Sequence, residues 1–322
     1  MKRIIILAVI VALVVLAWTG AWLFVASQVE KQVANLANGD GVSDPKITCA
    51  ELSTGGYPFA MDVVCKGATV QMQDVTAQLA EIRGSVLVYQ PTHALFIASS
   101  PLVLKDAFSG NEQRLDFGLA QASVRLDSWR IARVSVHVEN LAFYNTLPSD
   151  ELIAKASLAE LHLIDIPERH EPAKGLAALA VYAPLENLVM PGLQIADGKV
   201  SVEAEINGLP DDVRLMAEGD AIRRWQGAGG TVKLVNVQAS DGENFIRTSG
   251  DVGLDEQMRP QGQLQLSSRG IVERLGDRIP AQVRNIMLGQ QAPDGSYGQT
   301  ITMRGGVVLV GLIPVGMVPP LL

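Results

Sequence analysis

The chain has 322 residues, of which 48% are hydrophobic but only 5% aromatic, with a formal net charge of −8 and two cysteines. That acidic balance argues against a nucleic-acid partner, which needs a basic face. The length leaves room for one large domain or two smaller ones with an aliphatic core.

The first element is the uncharged run Ile4–Ala26, which meets the roughly 20 apolar residues that a helix needs to cross bilayer hydrocarbon. Lys2 and Arg3 precede it, whereas Glu30 and Lys31 follow it with balanced charge. Positive flanks stay in the cytoplasm, so the remainder is expected to be translocated. Trp18, Trp22 and Phe24 cluster near the far end of the run, where aromatic rings favour the headgroup layer. The rival reading is a cleaved signal peptide, but its apolar region is usually only about 7–15 residues long. Phe24 also stands three residues before Ser27, where a cleavage site wants a small side chain. The sequence therefore predicts an uncleaved transmembrane anchor over residues 1–28. It places the protein in the inner membrane, single-pass, with its C-terminal part in the periplasm.

Helical spacing continues through Val29–Ala37 and stops at Asn38-Gly39-Asp40-Gly41. Residues 29–44 thus read as a juxtamembrane helix and linker, and residues 45–322 as a β-rich domain. Lys46–Leu52 and Ala60–Val64 read as a hairpin joined through Thr54-Gly55-Gly56-Tyr57-Pro58. Cys49 and Cys65 lie symmetrically about Tyr57, as cross-strand neighbours would. In an oxidising compartment they are expected to pair, and a disulfide closing about 15 residues contributes roughly 3 kcal/mol. The alternative is two small buried thiols.

From Ala68 onward the pattern has period two. Ala132, Val134, Val136 and Val138 alternate with Arg133, Ser135, His137 and Glu139. Val200, Val202, Ala204 and Ile206 alternate with Lys199, Ser201, Glu203 and Glu205. Such alternation makes strands with one dry face and one wet face. Asp197-Gly198, Asn207-Gly208 and Asp241-Gly242 read as the turns between them. A phase shift between Leu234 and Val235 reads as a bulge.

Helical pattern is rare in this part. Asp220–Gln226 is a short candidate, and Ile271–Leu288 a longer amphipathic one split by Pro280. The longer one is expected to act either as a lid on the sheet or as a mobile membrane-touching helix. Ser296–Val310 reads as the last strand region, and Pro314 onward as an extended apolar tail. The fold class is therefore mostly β, a large antiparallel, curved or folded-over sheet behind one transmembrane helix, with one or two short helices. Two stacked sheets would fill the core, whereas one folded-over sheet would leave an apolar trough.

Motifs for chemistry are absent: there is no G-x-S-x-G, no phosphate-binding loop, no H-E-x-x-H and no C-x-x-C. No catalytic residue, metal ligand or cofactor is assigned, and no enzymatic activity is expected. His162, Asp165, Glu168, His170 and Glu171 form the densest polar cluster, but Pro167 and Pro172 mark it as a solvated loop.

The segment Gly56-Tyr57-Pro58-Phe59 between the cysteines resembles the hallmark of a bacterial family known as domain of unknown function 2125. Trp225 with Gly229-Gly230, Gly250–Asp255, Arg259-Pro260-Gln261-Gly262, Gly311–Pro314 and Pro319-Pro320-Leu321 extend the resemblance over nearly the whole translocated part. More distantly, the architecture is similar to AsmA-like envelope proteins, which implies an anchored periplasmic β-domain with an apolar groove. Together these readings predict an envelope protein that binds or handles lipid or another apolar envelope component in a groove walled by Val134, Val136, Val200 and Val202. Its expected partners are membrane lipids and other envelope proteins. The alternative is an assembly partner with a filled β-sandwich and no ligand.

Overall fold

The structure is a computed structural model that describes residues 2–41, 45–216, 220–270 and 290–321. It begins with α1 (Lys2–Asn35), a single helix of 34 residues. With the short turn that follows, Lys2–Asn38 is long and apolar enough to cross a membrane. The anchor and the juxtamembrane segment are thus one uninterrupted helix, and Gly39 ends it as the turn residues led one to expect. The amphipathic segment Ile271–Leu288 lies outside the described residues.

The chain divides into two compact units, 1–121 with 145–149, and 122–144 with 150–322, and α1 belongs to the first. The first unit contains β1 (Lys46–Thr48), β2 (Glu51–Gly55), β3 (Ala60–Met72), β4 (Val75–Leu87), β5 (Gln90–Asp106) and β6 (Glu112–Asp116). β1 and β2 pair end to end with β3, which pairs with β4, then β4 with β5 and β5 with β6, all antiparallel. β7 (Leu119–Asp127) carries the chain from the first unit into the second.

The second unit holds β8 (Arg130–Asn145) as far as Tyr144, then β9 (Glu151–Asp165), β10 (Leu176–Met190), β11 (Ile195–Pro210), β12 (Thr231–Asp241), β13 (Asn244–Leu254) and β14 (Pro260–Arg269). It ends with β15 (Gln290–Gln291), β16 (Tyr297–Arg304), β17 (Val307–Val310) and β18 (Ile313–Met317). From β9 to β14 each strand pairs antiparallel with the next, and β14, β16, β17 and β18 continue the meander. α2 (Val213–Met216) and α3 (Ala221–Gly227) are inserted after β11, with α3 where the Asp220–Gln226 pattern puts it. The mostly β, antiparallel fold class holds.

Two local expectations are corrected. Asp241-Gly242 does form the β12–β13 turn, but Asp197-Gly198 and Asn207-Gly208 fall inside β11. There Gly208, at φ +77°, sits where the β10–β11 register shifts, and an added Cβ would lie 3.0 Å from the Gly230 backbone. The dipeptide thus serves a bulge and a close approach of two chains. Second, Pro314 opens no tail: it pairs with Leu309 in β18, an edge strand where a missing N–H is tolerated. The bulge at Val235 is present as the pattern indicates, since Asn236 and Leu234 pair with consecutive residues of β11.

Gly250 and Gly262 mark a tight approach of β13 and β14. They adopt φ +140° and +147°, and a Cβ on either would lie 2.1 Å from a carbonyl oxygen of the facing strand. Gly250→Ala is therefore expected to destabilise the full-length protein by about 1–3 kcal/mol. Gly227→Ala, at the end of α3 with nothing within 4 Å, is expected to be neutral or stabilising by up to about 1 kcal/mol. Thermal unfolding in detergent, followed by circular dichroism, checks the contrast; equal shifts would contradict it.

Candidate functional site

An apolar cavity of about 910 Å³ lies in the first unit, between α1 and the sheet β1–β3–β4–β5. Packed protein interiors leave few voids larger than a water molecule, and ligand sites fall at about 300–1,000 Å³. One wall is the helix. Trp18, Trp22, Val25, Val29, Val33 and Leu36 line it, a spacing of three and four that marks one helical face. From Trp18 to Leu36, at ~1.5 Å per residue, that wall is roughly 27 Å long.

The facing wall needs a device, because a strand's side chains alternate between two faces. Along β3 the lining residues are Met61, Val63 and Cys65, then Ala68 and Val70. Along β4 they are Val86, Gly84 and Ile82, then Leu79 and Ala77. These are direct cross-strand partners throughout: Met61↔Val86, Val63↔Gly84, Cys65↔Ile82, Ala68↔Leu79 and Val70↔Ala77. Both strands therefore switch face at one level, where Gly67 has φ +58° and an added Cβ would lie 2.9 Å from that of Ala50. β5 makes the same switch with a bulge. Glu81 pairs with Ser99 but Leu79 with Leu102, so Ser100-Pro101 oppose Ala80 alone. Ala94, Phe96 and Leu102 thereby join the lining. Gly84 accommodates the Phe96 ring, which would stand 3.2 Å from a Cβ there.

The lining carries no charged side chain, and its hydroxyl, Ser85, donates to Asp62. Trp18 and Trp22 donate their ring N–H groups to the carbonyls of Pro58 (3.1 Å) and Ala60 (3.0 Å). With their polar groups satisfied in this way, the walls are chemically suited to hydrocarbon.

The family-like segment is held against α1 beside Trp18 and Trp22, at one end of the helix wall. Gly56, at φ +92°, starts a turn in which Ala60 N–H donates to Gly56 O at 2.8 Å. An added Cβ at Gly56 would lie 2.8 Å from the Ala60 carbonyl oxygen. The Tyr57 hydroxyl meets that of Thr19 on α1 at 2.7 Å, and its ring stands edge-on to Trp22 at 5.6 Å. Cys49 and Cys65 form a disulfide with their Cα atoms 5.3 Å apart, and both line the cavity. They are not paired neighbours, however. Cys65 pairs with Leu52, and Cys49 lies in the break between β1 and β2. The hairpin is centred between Pro58 and Phe59 instead of on Tyr57, so the bond runs diagonally across it.

Val134 and Val136 on β8, and Val200 and Val202 on β11, belong to the second unit and are half-buried. None of them lines this cavity. The cleanest alternation pointed to them, whereas the cavity uses strands whose alternation is interrupted. The signal for the helix wall was present, since the apolar stripe runs past Ala26 to Leu36.

The wet face of β8 and β9 gathers a polar cluster. His137 meets Glu160 at 2.8 Å and Glu139 at 3.0 Å, while His162 meets Ser135 at 3.1 Å and stacks on Tyr182. Of the loop cluster noted in the sequence, only Asp165 and His170 are seen to meet, and no three of its members come together among the described residues. Asp165 is engaged by His170 and Arg130, and Glu171 by Lys174. Hydrogen bonds to Glu139 and Glu160 raise the His137 pKa above its ordinary 6.5, and the bond from His137 lowers that of Glu160 below 4.5. The His137 contribution to stability is complete below 6.5 and fades as pH rises through the raised value. The Glu160 contribution is complete above 4.5 and fades as pH falls through the lowered one. Solvent screens both groups, so the effect is small. The melting temperature gap between the native protein and His137→Gln is expected to be wider at about pH 5.5 than at about pH 9. A gap independent of pH would contradict the pairing.

Against known proteins, a family model described as an uncharacterized protein conserved in bacteria (DUF2125) matches residues 22–319. No curated protein and no solved structure matches the chain. The matched span takes in the C-terminal part of α1, the Gly56–Phe59 turn and most of both units, so the chain belongs to the DUF2125 family.

Proposed function

We propose that this protein is anchored in the inner membrane, with its β-rich part in the periplasm, and that it accommodates the acyl chain of a lipid between α1 and the sheet of the first unit. The cavity of about 910 Å³ with its uncharged lining carries the proposal. Lys2 and Arg3 ahead of the apolar run support the orientation. The Cys49–Cys65 disulfide suits an oxidising compartment.

Branched aliphatic walls suit a ligand that needs no directional partner. Moving an acyl chain from water into such a site gains about 0.8 kcal/mol per methylene. The bilayer offers nearly the same gain, so exchange between membrane and cavity is close to balanced. That balance favours shielding and handing on a chain over holding it permanently. The 27 Å helix wall also exceeds the ~15 Å hydrocarbon half-thickness that a chain occupies in one leaflet.

A second reading, an assembly partner for other envelope proteins, is favoured by β18. All five of its residues are exposed, with Met317 at 83% and the preceding Leu312 at 94%, and apolar edge strands invite another chain.

Native mass spectrometry of the detergent-extracted full chain separates the two readings. Lipid is expected to co-purify with the native protein and with Gln78→Trp, which alters the outer face of β4. Ala77→Trp, which fills the cavity from the neighbouring position, is expected to lose that lipid while melting within a few degrees of the native protein. Native protein without lipid, or equal lipid in both variants, would contradict the proposal.

A further inference from the structure

We infer that the turns Gly56–Phe59 and Leu87–Gln90 are seated in the outer leaflet of the membrane crossed by α1, and that they frame a portal through which an acyl chain passes laterally from bilayer to cavity. This rests on the lipid reading above and adds the route. Its starting point is the position of the helix. Lys2 and Arg3 mark one interface, and from Ile4 about 20 residues span the ~30 Å of hydrocarbon, reaching Leu23. The β-structure nevertheless grips the helix before that point. Trp18 binds the Pro58 carbonyl, Thr19 the Tyr57 hydroxyl and Trp22 the Ala60 carbonyl. The Gly56–Phe59 turn is therefore held level with the last turns of the span.

The second turn is tied to the first, because Val88 N–H donates to Phe59 O at 2.9 Å. Phe59 is 65% exposed and Tyr89 69%, with Tyr57 and Val88 also exposed. Neither turn contains a charged residue. Large rings displayed to water would be costly, whereas aromatic side chains at the level of the headgroups are favoured. The helix that these turns grip is exposed as well, its apolar residues from Ile4 to Trp18 being exposed throughout. Leu87, Val88 and Pro91 line the cavity at this end together with Trp18 and Trp22. The opening is thus on the membrane side, and a chain moving through it would avoid water.

Depth-dependent quenching tests this on the full-length protein in phosphatidylcholine vesicles. A bimane is attached to Phe59→Cys, Tyr89→Cys or Phe108→Cys; the native cysteines are disulfide-bonded and do not compete. Phe108 is 88% exposed and follows the far end of β5, a 17-residue strand that extends about 56 Å. Phosphatidylcholine bearing an acyl-chain nitroxide is expected to quench the first two labels several-fold more than the third. Quenching of all three at the Phe108 level would overturn the portal. Lipid co-purification is read separately: quenched turns without bound lipid would sink the lipid reading, and bound lipid with unquenched turns would sink only the route.

Discussion

The structure depends on a helix, long and apolar enough to cross a membrane, whose apolar stripe continues to Leu36. A membrane span needs no partner on any face, because lipid satisfies it all round. Away from such an apolar medium, the stripe at Val25, Val29, Val33 and Leu36 must be covered, and helical stability there rests on tertiary packing. The first unit provides the cover, but not by close contact. It presents a wall of small and branched side chains set back far enough to leave the cavity. Polar tethers hold the helix at the Tyr57 turn, through Glu30 to Thr54 at 2.6 Å, and where Gly41 accepts from Gln73.

The far wall shows how a sheet can keep one long surface apolar although its strands change phase. Gly67 and the Ser100-Pro101 bulge sit at the same level, so three strands switch face together. Taken strand by strand, each interruption looks like a weak or irregular strand. Taken across the sheet, they preserve a single lining. The diagonal Cys49–Cys65 bond crosses this level and fastens the β1–β2 break to β3. Ala68 and Cys65 are among the few buried apolar residues of the unit, so the wall is firm where it turns.

Much of this was legible in the residues. The long apolar N-terminal helix, the helix stop at Gly39, the antiparallel β class, the disulfide and the Val235 bulge follow from composition, period and turn chemistry. The location of the cavity did not. Val134, Val136, Val200 and Val202 have the cleanest alternation, and alternation identifies a half-buried face without saying what covers it. Met61 to Val70 was harder to read, because its lining positions pass from odd to even numbers at Gly67. Turn dipeptides misled for a related reason: Asn-Gly favours positive φ, and a bulge within a long strand uses that property as well as a hairpin does. Pro314 looked like a strand breaker, yet an edge position leaves its missing N–H without consequence.

The central claim is that an acyl chain occupies the space between α1 and the sheet. Photoactivating cells fed a diazirine-bearing fatty acid, then mapping adducts on the purified full chain, tests it most directly. Labelling of α1 between Ile4 and Leu16 is expected from the bilayer in any case. The account predicts additional adducts in the peptides Met61–Val70 and Ala77–Val86, on the residues that face the cavity. Adducts confined to the membrane-facing part of the helix would contradict it.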